Sequence, residues 1–375
     1  MVYINRMVRY GQYIVPLAKK CVNFRVGQPA PSLLPLNLIR EAAECKFKET
    51  DPLLLQYGDI PGYSDFRVSL SKFLTKNYNR NVHADNLFVT NGVSGGLSLL
   101  CSLFLKPGDV VFVEKPTYFL ALSIFRDYGV KCIEIDMDTD GIVIDDLRTK
   151  LIQYKPKFLY IVPTAHNPTG RTTSLEKRIE LIKYSEDHDF KIIADEVYQM
   201  LTFPHVKPLR SMCSFYSNNI ISTGSFSKIL APALRLGWIE TTSEEVMTKL
   251  KTCGQLDSSG GMNPVISSLV HVLLDNGKQQ EHLDSTRDIL WERAQAMMQA
   301  IDEHLVPLGC TYEVPEGGYF IYVRFPYDAK LWINEDVTFL TFDSDKNVAR
   351  LSFSYYTKEE IKEGIERICH NFYLC

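Results

Sequence analysis

Short apolar runs recur along the first part of the chain, with segments of helical periodicity between them. Leu97, Leu100, Cys101 and Phe104 fall at i, i+3, i+4 and i+7, which predicts a helix directly after the first run. Runs that are continuously apolar are typical of strands buried on both faces. We therefore predict an α/β domain with a mostly parallel sheet. The predicted strands cover residues 87–89, 110–113, 158–162, 192–194 and 220–221.

The pattern changes near residue 258. A loop is predicted over 258–264, followed by a long helical stretch to residue 305, and this part resembles an α+β lobe on a smaller sheet. Its strands are predicted at 319–323 and 349–353, and a charged helix at 358–370. We expect three parts: an N-terminal segment (1–45) that joins the small domain, a large domain (46–257) and a small C-terminal domain (258–375).

The composition of the 375 residues is that of an ordinary globular protein, with 45% hydrophobic and 23% charged residues. The 41 Lys and Arg against 45 Asp and Glu give a net charge of −4 without a sustained basic run, so nucleic acid is not an expected partner. The nine cysteines include no C-x-x-C pair, which argues for reduced thiols and against a disulfide framework or a metal site.

No stretch is long and apolar enough to predict a membrane span. Residues 1–20 make a poor signal peptide, because their longest apolar run, 13–18, is short and contains Pro16. We expect a cytoplasmic protein. The few basic residues near the start make an organellar location the second choice.

Candidate chemistry follows the predicted strands, where an open parallel sheet binds its ligands. Val93, Ser94 and Gly95 lie in a glycine-rich turn that opens a helix, and free amides at such a turn suit a phosphate. Tyr118 and Asn167 also follow predicted strands and are further candidates. For each of these positions a purely structural interpretation stays open: the glycines allow a tight turn, Tyr118 is a core residue, and Asn167 begins an ordinary Asn-Pro-Thr-Gly turn.

Two charged residues indicate what kind of cofactor the site could bind. Asp195 ends a buried strand, where a carboxylate is costly unless a cation such as a protonated pyridine nitrogen pairs with it. Lys228 lies beside two hydroxyls and an arginine, a setting that suits an amine forming a Schiff base with a cofactor aldehyde, although a solvated surface lysine is the plain alternative. Five strand ends that all offer suitable groups favour a pyridoxal phosphate site.

The chain resembles the class I and II aminotransferases, pyridoxal phosphate enzymes of fold type I, from Gly27 to the C-terminus. The resemblance rests on Asn167-Pro-Thr-Gly, Asp195-x-x-Tyr198 and Ser225-x-Ser-Lys228-x-x-x-Pro-x-x-Arg235-x-Gly, in that order and spacing. It implies a large domain with a mostly parallel sheet and a smaller α+β domain. The histidine before Asn167 and the Ser-Gly-Gly-x-Asn-Pro loop are similar to the branch with 2-aminoadipate and aromatic aminotransferases.

The resemblance assigns roles to residues. Lys228 looks like the Schiff-base lysine, Asp195 like the carboxylate that keeps the pyridine nitrogen protonated, and Asn167 and Tyr198 like partners of the ring hydroxyl. Tyr118 resembles the stacking aromatic. The phosphate cup is matched by Ser225, Ser227 and Arg235 with the backbone of Val93, Ser94 and Gly95, although many relatives carry serine with glutamine or alanine in that turn, so only the amides are expected there.

Three further positions concern substrate and assembly. Arg350 looks like the arginine that clamps the substrate α-carboxylate, a bidentate task that lysine does not match, and Gly27 is expected to lie across the same carboxylate. Tyr57 resembles the tyrosine that reaches the phosphate of the neighbouring subunit, which implies a homodimer.

The implied reaction moves the amino group of an L-amino acid to a 2-oxo acid such as 2-oxoglutarate. Candidates for the side-chain pocket are Leu33, Leu34, Tyr63 and residues 258–263, all without a charge for a distal carboxylate, which favours aromatic or aliphatic donors; Arg25 is a cation that could still serve a 2-aminoadipate-like one. The alternatives are an eliminating lyase or a cyclopropane-forming synthase on the same cofactor. A pyridoxal phosphate sensor is less favoured, because few residues precede Gly27 and no basic patch exists.

Overall fold

The structure is a computed structural model that describes residues 8–10, 13–15 and 21–372. Its strands are β1 (Val8–Tyr10), β2 (Tyr13–Val15), β3 (Val22–Asn23), β4 (Leu87–Thr90), β5 (Val110–Lys115), β6 (Lys131–Asp138), β7 (Gly141–Ile142), β8 (Pro156–Ile161), β9 (Lys191–Asp195), β10 (Ile220–Ser225), β11 (Gly237–Glu240), β12 (Thr311–Tyr312), β13 (Phe320–Arg324), β14 (Val337–Thr338), β15 (Leu340–Thr341) and β16 (Val348–Ser352). Its helices are α1 (Leu36–Lys46), α2 (Ser64–Tyr78), α3 (Gly92–Phe104), α4 (Phe119–Asp127), α5 (Ile144–Gln153), α6 (Leu175–Asp187), α7 (Glu244–Lys251), α8 (Gly254–Ser259), α9 (Pro264–Asp275), α10 (Lys278–His304) and α11 (Lys358–Phe372).

The central sheet has eight strands in the order β4-β11-β10-β9-β8-β5-β6-β7. The pairs β10–β9, β9–β8, β8–β5 and β5–β6 are parallel, whereas β11 runs antiparallel to both of its neighbours. The predicted α/β class with a mostly parallel sheet is confirmed. β6 and β11 were not predicted, because Ile135 is the single buried residue of β6 and β11 is only four residues long.

The apolar runs explain why this sheet is central. Alternate residues of β5, β8 and β9 point to opposite faces: Phe112, Leu159 and Ile192 join one buried cluster, whereas Val113 and Ile193 join the other. Both faces are therefore covered, which matches continuous rather than alternating hydrophobicity. The carboxyl ends of the parallel strands lie on one edge of the sheet and carry the polar loops described below.

A second, antiparallel sheet has the order β12-β13-β16-β15, and α10 and α11 pack against each other beside it. The helical stretch predicted from 264 to 305 is two helices, because Gly277 adopts a left-handed φ of 80° between α9 and α10. Ser258 and Ser259, predicted in a loop, end α8 instead.

The N-terminal segment meets the C-terminal part of the chain. β3 pairs in parallel with β14, and the Ser352 amide donates to the Phe24 carbonyl oxygen at 3.0 Å. α9 packs on both α1 and α2. The division at residues 45 and 257 stays a prediction.

Most of the segment considered as a leader, residues 1–20, lies outside the described residues. Within the described ranges, none of the helices has the length and apolar character that crossing a bilayer requires. The eight cysteines between residues 21 and 372 are free thiols. In the same part of the chain, His, Cys, Asp and Glu side chains form no group able to hold a metal ion.

Candidate active site

The loops at the carboxyl edge of the central sheet bring most of the predicted residues together. Lys228 follows β10, and its Nζ donates to the Gly27 carbonyl oxygen at 2.8 Å. Burial lowers the pKa of Lys228 to about 8, the nearby Arg350 guanidinium acts in the same direction, and Asp195 opposes both. A lysine with this pKa is partly neutral near neutral pH and is a stronger nucleophile than a solvated one.

Asp195 ends β9 and is 4% exposed. Its Oδ2 accepts a hydrogen bond from the Tyr160 hydroxyl at 2.7 Å, whereas its buried Oδ1 has no hydrogen-bond partner in the described part of the chain. Burial raises the pKa of Asp195 to about 6, while the Tyr160 hydroxyl, a hydrogen bond from the Val197 backbone and Lys228 act to lower it. A buried carboxylate oxygen without a donor is costly, so it points to a ligand with a proton to give.

Arg350, on β16, is also buried. Its Nη1 donates to Asn167 Oδ1 at 2.8 Å and its Nη2 to the Arg25 carbonyl oxygen at 2.7 Å. Its guanidinium carbon is 4.1 Å from the centroid of the Phe320 ring. The cation is therefore held in a fixed plane before any substrate binds.

Gly27 lies at the same place. A Cβ on Gly27 would be 2.8 Å from Phe320 Cζ and 3.7 Å from Arg350 Nη2, so only glycine lets the backbone pass this close to the arginine. The predicted neighbours Gly27, Asn167, Lys228 and Arg350 are thus joined by direct contacts.

Two aromatic residues, Tyr198 and Tyr118, were predicted beside the cofactor ring. Tyr198 is 2% exposed, and its ring packs edge-on against Tyr319 at 5.5 Å and Phe320 at 5.9 Å between centroids. Tyr118 precedes α4, is half-buried, and packs against Phe119 at 5.9 Å between ring centroids.

A second cluster forms where α3 begins. Ser225 Oγ donates to Ser227 Oγ at 2.9 Å, and Arg235 Nη2 donates to the Asn91 carbonyl oxygen at 3.2 Å. Gly92 has a φ of 74°, and a Cβ there would lie 2.8 Å from Arg235 Nη2. The side chain of the N-cap residue Asn91 makes no capping hydrogen bond to the first turn of α3, which contains Val93, Ser94 and Gly95.

These features fit pyridoxal phosphate. An uncapped helix N-terminus, two hydroxyls and an arginine make a cradle for a phosphate group. Asp195 Oδ1 offers the anionic acceptor that a protonated pyridine nitrogen needs, and Lys228 offers the amine. Each end of the cofactor therefore has a matching group among this chain's own residues.

Other predicted residues make contacts of their own. Tyr57 is 78% exposed, and its Cβ lies beside Gly260. The Tyr63 hydroxyl donates to Asp65 at 3.0 Å, and Leu34 is 39% exposed. Asn263, a candidate for the side-chain pocket, donates to Asn91 Oδ1 at 2.8 Å.

Two contacts of the site were missed from sequence. The Tyr160 bond to Asp195 was hidden in an apolar strand, although a buried tyrosine hydroxyl needs a partner. Glu114 Oε2 lies 3.1 Å from His166 Nε2 and accepts from the Val162 amide at 2.8 Å. Because the Thr169 hydroxyl lies 2.8 Å from His166 Nδ1 and the Thr169 amide donates to that nitrogen at 3.3 Å, the contacts assign the imidazole proton to Nε2.

Residues 19–368 match the family model described as "Aminotransferase class I and II". The chain belongs to the class I and II aminotransferases. This membership confirms the predicted fold type I, the aminotransferase activity and the pyridoxal 5'-phosphate cofactor.

Comparisons with individual proteins agree with this family membership. The chain is 30% identical to aromatic-amino-acid aminotransferase 1 of Thermococcus litoralis over 91% of this chain and 85% of that one. It is 29% identical to 2-aminoadipate transaminase of Thermus thermophilus over 92% and 89% of the two chains. The crystal structure of Pyrococcus horikoshii kynurenine aminotransferase with PMP, KYN and KYA superposes with a TM-score of 0.87 at 30% identity, covering 95% of this chain and 92% of that one.

Proposed function

We propose that this aminotransferase accepts an aromatic, aliphatic or 2-aminoadipate-like L-amino acid as donor and passes the amino group to a 2-oxo acid such as 2-oxoglutarate. The observation that carries the proposal is the setting of Lys228: its Nζ donates to the Gly27 carbonyl oxygen, and the Arg350 cation and the Asp195 carboxylate both act on its pKa. An amine, an anionic acceptor and a carboxylate clamp meet there, as amino-acid chemistry on pyridoxal phosphate requires.

Lys228 has two tasks in this proposal. Its amine would hold the cofactor aldehyde and, when free, would accept the proton from substrate Cα. The pKa of about 8 supports both tasks, because a nucleophile and a proton carrier work best with a pKa near the ambient pH. Pyridoxal phosphate supplies an electron sink when bound.

Asp195 and the cluster around α3 would hold the two ends of the cofactor. Asp195 takes the pyridine nitrogen, with Asn167 and Tyr198 on the ring hydroxyl and Tyr118 against the ring face. The phosphate is assigned to the hydroxyls of Ser225 and Ser227, Arg235, and the amides of Val93, Ser94 and Gly95. The uncapped start of α3 supports this assignment.

Arg350 would bind the substrate α-carboxylate, next to the Gly27 backbone. Its two hydrogen bonds, to Asn167 and to the Arg25 carbonyl, fix the guanidinium in advance and so reduce the entropy lost on binding. The Arg25 side chain is exposed and is a candidate partner for a distal carboxylate. The names of the relatives, which include aromatic and 2-aminoadipate enzymes, support this range of donors.

We also infer a homodimer in which Tyr57 reaches the phosphate of the neighbouring subunit. Leu53, Leu55 and Tyr57 are 69%, 73% and 78% exposed, and an apolar group of this kind is typical of a surface covered by a partner. We propose a cytoplasmic location, in keeping with the family's reaction on small amino acids.

The donor can be identified in a half-reaction. The purified holoenzyme is mixed with single amino acids without an acceptor, and near-visible absorption of the cofactor and release of a 2-oxo acid are followed. The proposal expects stoichiometric 2-oxo acid from an aromatic, aliphatic or 2-aminoadipate-like donor. Ammonia release with regenerated cofactor, or no change with any donor, would contradict it.

The dimer can be tested with mixed subunits. A Lys228→Ala subunit paired with a Tyr57→Ala subunit contains one site with an intact lysine. If Tyr57 acts across the interface, that site receives a native tyrosine and keeps the activity of one wild-type site. If Tyr57 acts within its own chain, the same site is impaired to the level of Tyr57→Ala alone.

A further inference from the structure

The two carboxylate oxygens of Asp195 have different surroundings. Oδ2 accepts from the Tyr160 hydroxyl at 2.7 Å, and Oδ1 has no partner among the described residues. Tyr160 lies on β8, the strand next to β9, and both side chains are buried. The structure therefore distinguishes an oxygen held by the protein from one left for a ligand.

Tyr160 is itself held in place. Its ring has no exposed surface and packs edge-on against Phe125, with 5.7 Å between the ring centroids. A ring packed on a buried strand cannot follow a carboxylate that rotates, so rotation of Asp195 would break the hydrogen bond. The hydroxyl thus fixes the plane of the carboxylate.

Tyr160 acts only as a donor towards Asp195. Burial, and the negative charge of Asp195, raise the pKa of Tyr160 well above its usual value, so the hydroxyl keeps its proton at every physiological pH. A donor that never ionises favours the charged form of the carboxylate that it contacts. It opposes the burial that raises the pKa of Asp195.

Other ionisable groups face this pair, and they act in both directions. Lys228, after β10, lowers the pKa of Asp195, whereas Glu114, at the end of β5 and in contact with His166, raises it. Tyr118, before α4, faces Tyr160. Of these groups, only the Tyr160 hydroxyl is hydrogen-bonded to the carboxylate in the described part of the chain.

We propose that Tyr160 is a positioning residue for the cofactor: its hydroxyl holds Oδ2 of Asp195, so that the carboxylate stays ionised and presents Oδ1 to the pyridine nitrogen. This inference rests on the proposed role of Asp195. Tyr160 acts through Asp195 and needs no contact with substrate or cofactor.

The first test measures cofactor affinity rather than turnover. Apoenzyme of wild type and Tyr160→Phe is titrated with pyridoxal phosphate at a series of pH values around 6. Loss of a hydrogen bond to a charged group predicts a dissociation constant about tenfold higher, and an acid limb displaced to higher pH. Tyr312→Phe is the matched control, because the Tyr312 hydroxyl donates to Asp302 at 2.9 Å away from the site, and it should leave both quantities unchanged.

The second test asks whether Tyr160 acts through Asp195. Tyr160→Phe is introduced into Asp195→Asn, and the two-by-two set of affinities is compared. An amide does not ionise, so the added Tyr160→Phe should change the affinity of Asp195→Asn by less than twofold. Equal losses in both backgrounds would overturn the proposal, because they would reveal a structural role independent of the carboxylate.

The remaining outcomes are also decisive. Unchanged affinity and acid limb in Tyr160→Phe would overturn the inference while leaving the aminotransferase proposal intact. If Tyr160→Phe alone fails to fold and Asp195→Asn restores folding, the hydroxyl stabilises the charge as proposed; failure of the double variant as well would overturn it. Wild-type apoenzyme that binds no pyridoxal phosphate would overturn the proposed function itself.

Discussion

The two ends of the site differ in how they hold charge. At the ring end, Asp195 and Arg350 are both 4% exposed and are fixed by Tyr160 and Asn167. At the phosphate end, Arg235 is exposed, and its longer contacts of 3.1–3.5 Å go to carbonyl and hydroxyl oxygens. Buried charges interact strongly because water does not screen them, whereas exposed charges weaken with salt. In the proposed assignment, the reacting groups would lie where solvent is excluded, whereas the phosphate-binding arginine would lie in contact with solvent.

Replacement of Lys228, at the ring end of the site, should have the largest effect on turnover. Lys228→Ala removes the only proposed proton carrier, so turnover should fall by a factor of about 10²–10⁴ or more. Single-turnover release of 2-oxo acid measures this step. The cofactor should still bind, with weaker affinity, because the phosphate cluster and Asp195 remain; full transaminase activity in the variant would refute the assignment.

Replacement of Arg350 tests the geometry of the clamp rather than its charge. Arg350→Lys keeps the cation but loses the planar pair of donors and the bond to Asn167, so KM for the donor should rise by about tenfold or more. Steady-state kinetics separate KM from kcat. Arg324→Lys, on the neighbouring strand and exposed, is the control; an equal KM for Arg350→Lys and wild type would argue against the clamp.

The contribution of the phosphate end to cofactor affinity should be smaller and should depend on salt. Arg235→Ala is expected to reduce the affinity of apoenzyme for pyridoxal phosphate several-fold at low ionic strength, and less at about 1 M salt, where the Debye length is about 3 Å. Titrations at two salt concentrations measure the difference. A loss that does not depend on salt would place Arg235 in the same class as the buried charges.

Replacement of Glu114 should have the smallest effect, and the direction in which it shifts the pH dependence of cofactor binding is diagnostic. Its charge raises the pKa of Asp195, so Glu114→Gln should lower that pKa from about 6 and extend cofactor binding to lower pH. Tyr160→Phe shifts the acid limb in the opposite direction. Comparison of the two profiles checks the signs; a shift of Glu114→Gln to higher pH would mean that the Glu114–His166 contact matters more for geometry than for charge.

The local pattern of apolar and polar residues predicted much of the fold and the candidate residues of the site. Continuous apolar runs such as 158–162 predicted buried parallel strands, and the motifs around Asn167, Asp195 and Lys228 predicted which groups follow them. The strand prediction was confirmed because side-chain periodicity constrains which segments can be buried on both faces of a sheet, whereas the assignment of the site residues stays a prediction. β6 and β11 were not predicted, because the prediction relied on continuously apolar runs, whereas β6 mixes apolar with charged residues and β11 is only four residues long.

The sequence by itself determined the chemical groups: an amine at 228, a carboxylate at 195, an arginine at 350. Only the tertiary structure decided the properties of the amine and the carboxylate, because burial and long-range contacts shift the pKa values of Lys228 and Asp195 and leave Asp195 Oδ1 without a hydrogen-bond partner among the described residues. Tyr160 illustrates the division, since its hydroxyl lies 35 residues away from Asp195 along the chain and reaches it only because β8 and β9 are neighbours. Sequence spacing carries no record of which strands become adjacent, and burial depends on the whole packed molecule.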